Sequence, residues 1–291
     1  MLLTDEIQGE IIDMAVTYRC DKEVIELAME KLKSDGLVSE EASFNHDAPQ
    51  NLRKEVAYRD FDFLSRLSRA AEVEIVASIL AWLKEKGILN KEAGYDEFEF
   101  EEFRSEVKGK FIMPGSSVSP VMERLMYMLS AARKPLRTLG IGTYYGNGLV
   151  WCVGASCGKG ITYTAEKVYG VDIDPEATRR AKENFEKLVN TEHIELLAED
   201  GMQAVDRLDG TFDYVFLDVD SKELGKSLYL DLVKKVYDRV EEGGWVLAHD
   251  IVVPPFAPQI KPYLEFVRDK ANFSESILFD VDAFGLELSI K

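Results

Sequence analysis

The chain has 291 residues, 46% hydrophobic and 10% aromatic, which is ample for a globular core and excludes wholesale disorder. Against 35 Lys and Arg stand 53 Asp and Glu, a net charge of -18, and such a surface repels phosphate backbones and anionic headgroups. Nucleic-acid and membrane-surface partners are therefore not expected, and the length suggests two domains.

The first residues, Met1-Leu2-Leu3-Thr4-Asp5-Glu6, have no basic or apolar leader character. No apolar run approaches the roughly 18 residues of a membrane span, so the expected location is the cytoplasm. Cys20, Cys152 and Cys157 are odd in number, and the last two lack the spacing of a zinc knuckle or redox pair. They read as buried, reduced thiols. From residue 1 to 110 apolar residues recur at helical spacing, which predicts a small α-helical domain for capping the site or for homodimerisation. Within it, Leu32-Lys33-Ser34-Asp35-Gly36-Leu37-Val38 is echoed by Leu83-Lys84-Glu85-Lys86-Gly87-Ile88-Leu89. Each echo is a helix stopped by glycine, followed by an apolar pair that tucks under the last turn. The run Tyr95-Asp96-Glu97-Phe98-Glu99-Phe100-Glu101-Glu102-Phe103 predicts an amphipathic segment with a solvated carboxylate face rather than a metal site.

Met113-Pro114-Gly115-Ser116-Ser117 predicts a loop, and a regular alternation follows it. Strands are expected over 136–141, 168–173, 194–198, 214–218 and 245–249, with helices over 146–157, 175–189, 202–208 and 225–240. Pro175 suits the first turn of its helix after Asp174, and Gly243-Gly244 is expected to close the helix before Trp245. This pattern predicts an α/β domain over 111–291 with a doubly wound, mostly parallel sheet.

In such a sheet the ligand sits beyond the carboxyl ends of the strands, where the strand order reverses. Those ends carry Gly142-Thr143-Tyr144-Tyr145-Gly146, Asp172-Ile173-Asp174, Glu199-Asp200-Gly201, Asp218-Val219-Asp220 and His249-Asp250. A carboxylate at Asp172 can accept both hydroxyls of a ribose, and Asp200 is placed to meet an adenine amino group. With the glycine turn they make an adenosine cradle. The spacing of Gly140, Gly142 and Gly146 is not that of a dinucleotide site, and Tyr144 and Tyr145 leave little room for a pyrophosphate. S-adenosylmethionine suits an acidic, tyrosine-lined pocket through its cationic sulfonium and amino groups.

At these residues the chain resembles the class I S-adenosylmethionine-dependent methyltransferases, and most closely the catechol and caffeoyl-CoA O-methyltransferase-like family. Thr138-Leu139-Gly140-Ile141-Gly142-Thr143-Tyr144-Tyr145-Gly146-Asn147-Gly148 resembles the family's first motif, and Val171-Asp172-Ile173-Asp174-Pro175 its ribose-binding motif. Glu199-Asp200-Gly201 resembles the adenine-contacting turn, and Gly285-Leu286-Glu287-Leu288-Ser289-Ile290-Lys291 the last strand. The resemblance implies a seven-stranded Rossmann-like methyltransferase fold. It implies cofactor contacts from Gly140, Gly142, Thr143, Tyr144, Gly146, Asp172, Ile173, Asp200, Gly201 and Asp218. In metal-dependent members a divalent cation clamps two substrate oxygens from positions that read Asp218, His249 and Asp250 here, a set of donors for Mg or another divalent cation. The chain departs from the family at Gly140, where a carboxylate is usual, and at Gly148, where a serine is. Ser221 stands where the family keeps a catalytic lysine, with Lys222 one residue on.

The expected activity is methyl transfer from S-adenosylmethionine to a small-molecule acceptor, at a hydroxyl oxygen, by in-line displacement. Asp218, His249 and Asp250 are the expected catalytic residues facing the acceptor, with His249 as proton acceptor or metal ligand. Two other uses of the same cradle remain open at this point: transfer of an aminocarboxypropyl group, or cofactor binding without catalysis. Pro254-Pro255-Phe256-Ala257-Pro258 is expected to shape the acceptor pocket, and Tyr263 to be core.

Overall fold

The computed structural model describes residues 56–57, 69–113, 118–221, 224–282 and 284–291. Cys20, the echo at 32–38 and most of the loop after Met113 lie outside them. The strands are β1 (Val56–Ala57), β2 (Ile112–Met113), β3 (Arg137–Ile141), β4 (Lys167–Asp172), β5 (Ile194–Ala198), β6 (Phe212–Leu217), β7 (Val240–His249), β8 (Glu275–Phe279) and β9 (Leu286–Ile290). The helices are α1 (Arg69–Glu85), α2 (Glu97–Lys110), α3 (Pro120–Arg133), α4 (Asn147–Val153), α5 (Pro175–Phe185), α6 (Gly201–Arg207), α7 (Leu228–Val236) and α8 (Ala257–Val267).

Strands β3 to β9 form one sheet in the order β5-β4-β3-β6-β7-β9-β8. All pairs from β5 to β7 are parallel, and β9 runs antiparallel between β7 and β8. Helices cover both faces, so the chain has the doubly wound sheet of the Rossmann-like methyltransferase fold. Pro175 opens α5 behind an Asp174 cap, whose carboxylate accepts from the N–H of Glu176 and Ala177.

One local expectation changes. Gly243-Gly244 does not end a helix. It lies inside β7, where the register slips so that Phe212 pairs with Val240 but Tyr214 with Trp245. Gly243 sits at φ 72°, and its N–H donates to the Lys291 carbonyl while Gly244 O accepts from Lys291 N–H. The glycines thus form a bulge that β9 clasps. In the proline-rich run, Pro254–Phe256 is a single 3₁₀ turn leading into α8.

Helices α1, α2 and α3 share one apolar core with the sheet, so residues on both sides of the expected boundary near 110 pack together. The glycine stop at 87 forms as expected. Gly87 adopts φ 72°, the N–H groups of Ile88 and Leu89 both reach the Leu83 carbonyl, and Leu89 is buried. In α2, Phe100 and Phe103 are buried while Phe98 is exposed. The carboxylates of this segment are not simply solvated: Glu97 and Glu101 both pair with Arg124, which is fully buried on α3. The guanidinium groups of Arg104 and Arg124 lie 4.6 and 4.5 Å from the centre of the Phe100 ring. Arg104 also pairs with Glu72 at 2.9 Å and Glu123 at 3.0 Å. Cys152 and Cys157 are buried free thiols, raised by that burial. Among the described residues no helix is long and apolar enough to cross a membrane.

Removing one partner from a buried ion network leaves uncompensated charge. Arg104→Ala should therefore cost about 3–5 kcal/mol in urea unfolding. Glu102→Ala, on the exposed face of α2, should change stability by no more than about 0.5 kcal/mol.

Candidate functional site

Because β3 to β7 are parallel, their carboxyl ends emerge on one edge, and the strand order reverses between β3 and β6. The backbone there is tightly packed. A Cβ on Gly142, at φ 83°, would lie 2.3 Å from the Asp218 carbonyl oxygen, so only glycine permits this approach. The N–H groups of Gly142 and Thr143 both bond the Val171 carbonyl, which folds the turn over the end of β4.

Tyr144 follows in the left-handed region at φ 47°, an uncommon conformation for an aromatic residue. Its N–H donates to Asp172 Oδ2 at 2.6 Å, and Asp174 N–H donates to Asp172 Oδ1 at 3.0 Å. Burial raises the Asp172 pKa above the ordinary carboxylate value, opposed by those two N–H groups. Ile173 is 71% exposed and Tyr144 42%, so two apolar side chains flank this acid without burying each other. Tyr145 packs into the core, with its ring centre 4.8 Å from that of Tyr144. Asp200 caps α6 through Oδ1, which accepts from the N–H of Met202 and Gln203 and leaves Oδ2 out of the cap.

The other glycines of the motifs serve packing. Gly140 lies within β3, where Leu149 Cδ1 comes to 2.8 Å of a built Cβ. Gly146 meets the Phe185 ring, and Gly201 meets Ile141. Gly148 makes room for the ring of Phe216, and its built Cβ lies 3.6 Å from Asp218 Oδ2.

At the ends of β6 and β7, Asp218, His249 and Asp250 each bring a donor atom within 4.8 Å of the others. Asp250 holds a left-handed backbone at φ 62°. The structure adds a residue the sequence reading missed. Lys226, 1% exposed, places Nζ 3.0 Å from Asp218 Oδ1 and 2.7 Å from Asp250 Oδ2. Tyr229 OH lies 3.1 Å from the same nitrogen and donates to the His249 carbonyl at 3.0 Å. Lys226 lies five residues past Ser221 and two before α7, while Lys222 lies outside the described residues.

His249 Nδ1 lies 3.2 Å from Asp250 Oδ1 and 3.7 Å from Asp218 Oδ2, while its buried Nε2 has no hydrogen-bond partner. Phe284 faces the imidazole with ring centres 5.7 Å apart. Burial would lower the histidine, but Asp250 and Asp218 raise it to about 9. Burial would raise Asp218, but Lys226 and His249 hold it well below the usual carboxylate range. For Lys226, burial is outweighed by Tyr229, Asp250 and Asp218, and its pKa rises.

Residues 139–251, which span this whole edge from the glycine turn to Asp250, match a family model described as a methyltransferase domain. That segment is therefore similar to a methyltransferase domain. Among solved structures, an O-methyltransferase from Bacillus cereus in complex with SAH has a TM-score of 0.51 and 16% identity, over 72% of this chain and 96% of that one. The O-methyltransferase TomG from Streptomyces achromogenes, involved in tomaymycin synthesis and in complex with SAM, has a TM-score of 0.52 and 15% identity, over 73% and 95%. These likenesses, each over more than 70% of this chain, show that the shared fold extends beyond the matched segment. A search of curated proteins gave no match.

The ion cluster of this domain links stability to pH. His249 titrates near 9 in the folded chain, against about 6.5 unfolded. Its contribution is therefore complete below pH 6.5 and is lost as pH rises through about 9. His249→Gln should be less stable than the parent at pH 6, on the order of 3 kcal/mol from that shift. Thermal melts should show the gap closing by pH 10.

Proposed function

We propose that this methyltransferase domain transfers a methyl group from S-adenosylmethionine to a hydroxyl oxygen of a small-molecule acceptor. The observation that carries the reading is the shared edge. A glycine turn, Asp172 and Asp200 form a cradle at β3 to β5, and a buried acid, lysine and histidine cluster stands next to it at β6 and β7. The cradle suits an adenosine: the Asp172 carboxylate ends β4, Asp200 Oδ2 lies outside its helix cap, and Ile173 and Tyr144 offer apolar surface. S-adenosylmethionine held there would supply an electrophilic methyl group on its sulfonium, leaving a neutral thioether once the methyl is transferred.

The chain's contribution is position and proton management. As the oxygen–carbon bond forms and the carbon–sulfur bond breaks, the acceptor's proton must leave, and His249 Nε2 is the buried, unpartnered nitrogen that receives it. Asp250 and Asp218 on the Nδ1 side orient the ring and stabilise the resulting imidazolium, as a carboxylate behind a catalytic histidine does. The retained cluster favours turnover over binding alone. The start of α3 closes one side of the site, since Ser119 donates to Asp282, whose other oxygen accepts from the N–H of Phe284 and Gly285 beside His249. Helices α1 and α2 back that roof and exclude water.

Calorimetric titration with S-adenosylmethionine and S-adenosylhomocysteine tests the cradle, and mass analysis of hydroxylated acceptors for an added methyl group tests the reaction. Asp172→Ala should weaken cofactor binding by about 1–3 kcal/mol, as loss of a buried hydrogen-bonding group does. Unchanged affinity would move the cofactor elsewhere. With His249 as proton acceptor, kcat/KM should climb between pH 7 and 9 and level off above about 9, following the histidine's titration. A profile flat over that range would remove His249 from the role.

A further inference from the structure

In metal-dependent members of the family this chain resembles, two acids and a third ligand at these strand ends hold a divalent cation. We propose that here the Lys226 ammonium holds that cation position permanently, so that the site works without a metal and does not require an acceptor with two chelating oxygens.

The argument is geometric. All four carboxylate oxygens of Asp218 and Asp250 face a group of the chain itself. Lys226 Nζ lies 3.0 Å from Asp218 Oδ1 and 2.7 Å from Asp250 Oδ2, while His249 Nδ1 lies 3.7 Å from Asp218 Oδ2 and 3.2 Å from Asp250 Oδ1. A ligating oxygen must come within about 2.0–2.2 Å of a small divalent ion. An ion that close to Oδ1 of Asp218 and Oδ2 of Asp250 would occupy the space in which the ammonium bridges them. Towards these carboxylates the imidazole offers no ligand either, because Nδ1, protonated against Asp250 at 3.2 Å, has no free lone pair.

Lys226 is also built to stay. An ammonium has three N–H donors, and Asp218, Asp250 and Tyr229 present three acceptors at 3.0, 2.7 and 3.1 Å. Its backbone N–H donates to Gln259 Oε1 at 2.7 Å, which ties the start of α7 to α8. The rings of Tyr229 and Phe256 lie 5.2 and 5.6 Å from Nζ and shelter the charge from water. Swinging the side chain out would leave two partly buried carboxylates unpaired, the costly half of breaking a buried ion pair.

A metal clamp in such a site selects acceptors with two adjacent oxygens, since both complete its coordination sphere. A lysine fixed by its own neighbours has no coordination sphere to complete, so one hydroxyl suffices. The substrate class that follows is a singly hydroxylated acceptor, methylated as readily as its vicinal diol counterpart. This last consequence rests on the methyl-transfer reading, but the cation assignment does not.

The deciding experiment is calorimetric titration of Mg²⁺ and Mn²⁺ into the full chain, beside Lys226→Ala and Asp250→Asn, with turnover assayed in EDTA. The expected result is no saturable metal binding to the parent at millimolar concentrations, turnover unchanged by EDTA, and newly acquired Mn²⁺ binding in Lys226→Ala. Micromolar metal binding to the parent that is lost in Asp250→Asn would overturn the proposal, whether or not any methyl transfer is found. EDTA-sensitive turnover restored by Mg²⁺ would overturn it as well. A folded Lys226→Ala that binds no Mn²⁺ would take the cation position away from Lys226. Should that variant fail to fold, the parent titration alone decides.

Discussion

The structure depends on β3 being paired in parallel on both sides, with β4 and with β6. A strand so placed has no edge and no solvated face, and each neighbour must reach it through a helical crossover, which brings every connecting turn after these strands to the same end. The close approach of the Gly142 turn to the backbone of Asp218 is a direct result, and it fixes the distance between the part of the site that suits a nucleoside and the part that holds charge. The two halves are not independent pockets but the two flanks of one strand.

Much of this was legible in the sequence because local pattern and tertiary environment agree there. The run 194–198 is a strand in sequence and in structure alike, and Asp174-Pro175 opens a helix as its chemistry requires. The legible parts are those in which a residue acts through its own backbone or the next turn. Where a residue acts at long range, the signal fades. Lys226 looks like an ordinary surface lysine at a helix start, and only the fold brings it to two acids that belong to different strand ends. Gly243-Gly244 has the composition of a helix stop, and its use as a strand bulge depends on pairing with β9 nearly fifty residues on. Strand β8 and helix α8 escaped notice because a short strand on the sheet edge and a helix holding Pro258 and Pro262 carry weak periodicity.

The same lesson holds for the charges under the sheet's other helices. A carboxylate-rich run with interleaved phenylalanines has every sign of a solvated amphipathic face, yet part of it neutralises a fully buried arginine. Two guanidinium groups against one Phe100 ring, each answered by glutamates from neighbouring helices, set the rotation of α2 on α3 more sharply than apolar contacts would, because an unanswered buried charge is costly in any other orientation. This is specificity of packing rather than stability as such. It keeps the first described helices in register with the helix whose N-terminal cap reaches Asp282 beside the site.

The position of β9 carries a consequence for how the chain assembles. It is the last strand of the sheet in chain order, yet it has neighbours on both sides, so until it inserts, β7 and β8 each present an open row of amide and carbonyl groups. Those rows are templates for pairing with other chains. Pairing across long loops is also slow, since chain entropy is lost before contacts form. Inserting β9 closes the open row of β7, and the hydrogen bonds between Lys291 and the Gly243-Gly244 bulge fasten its end.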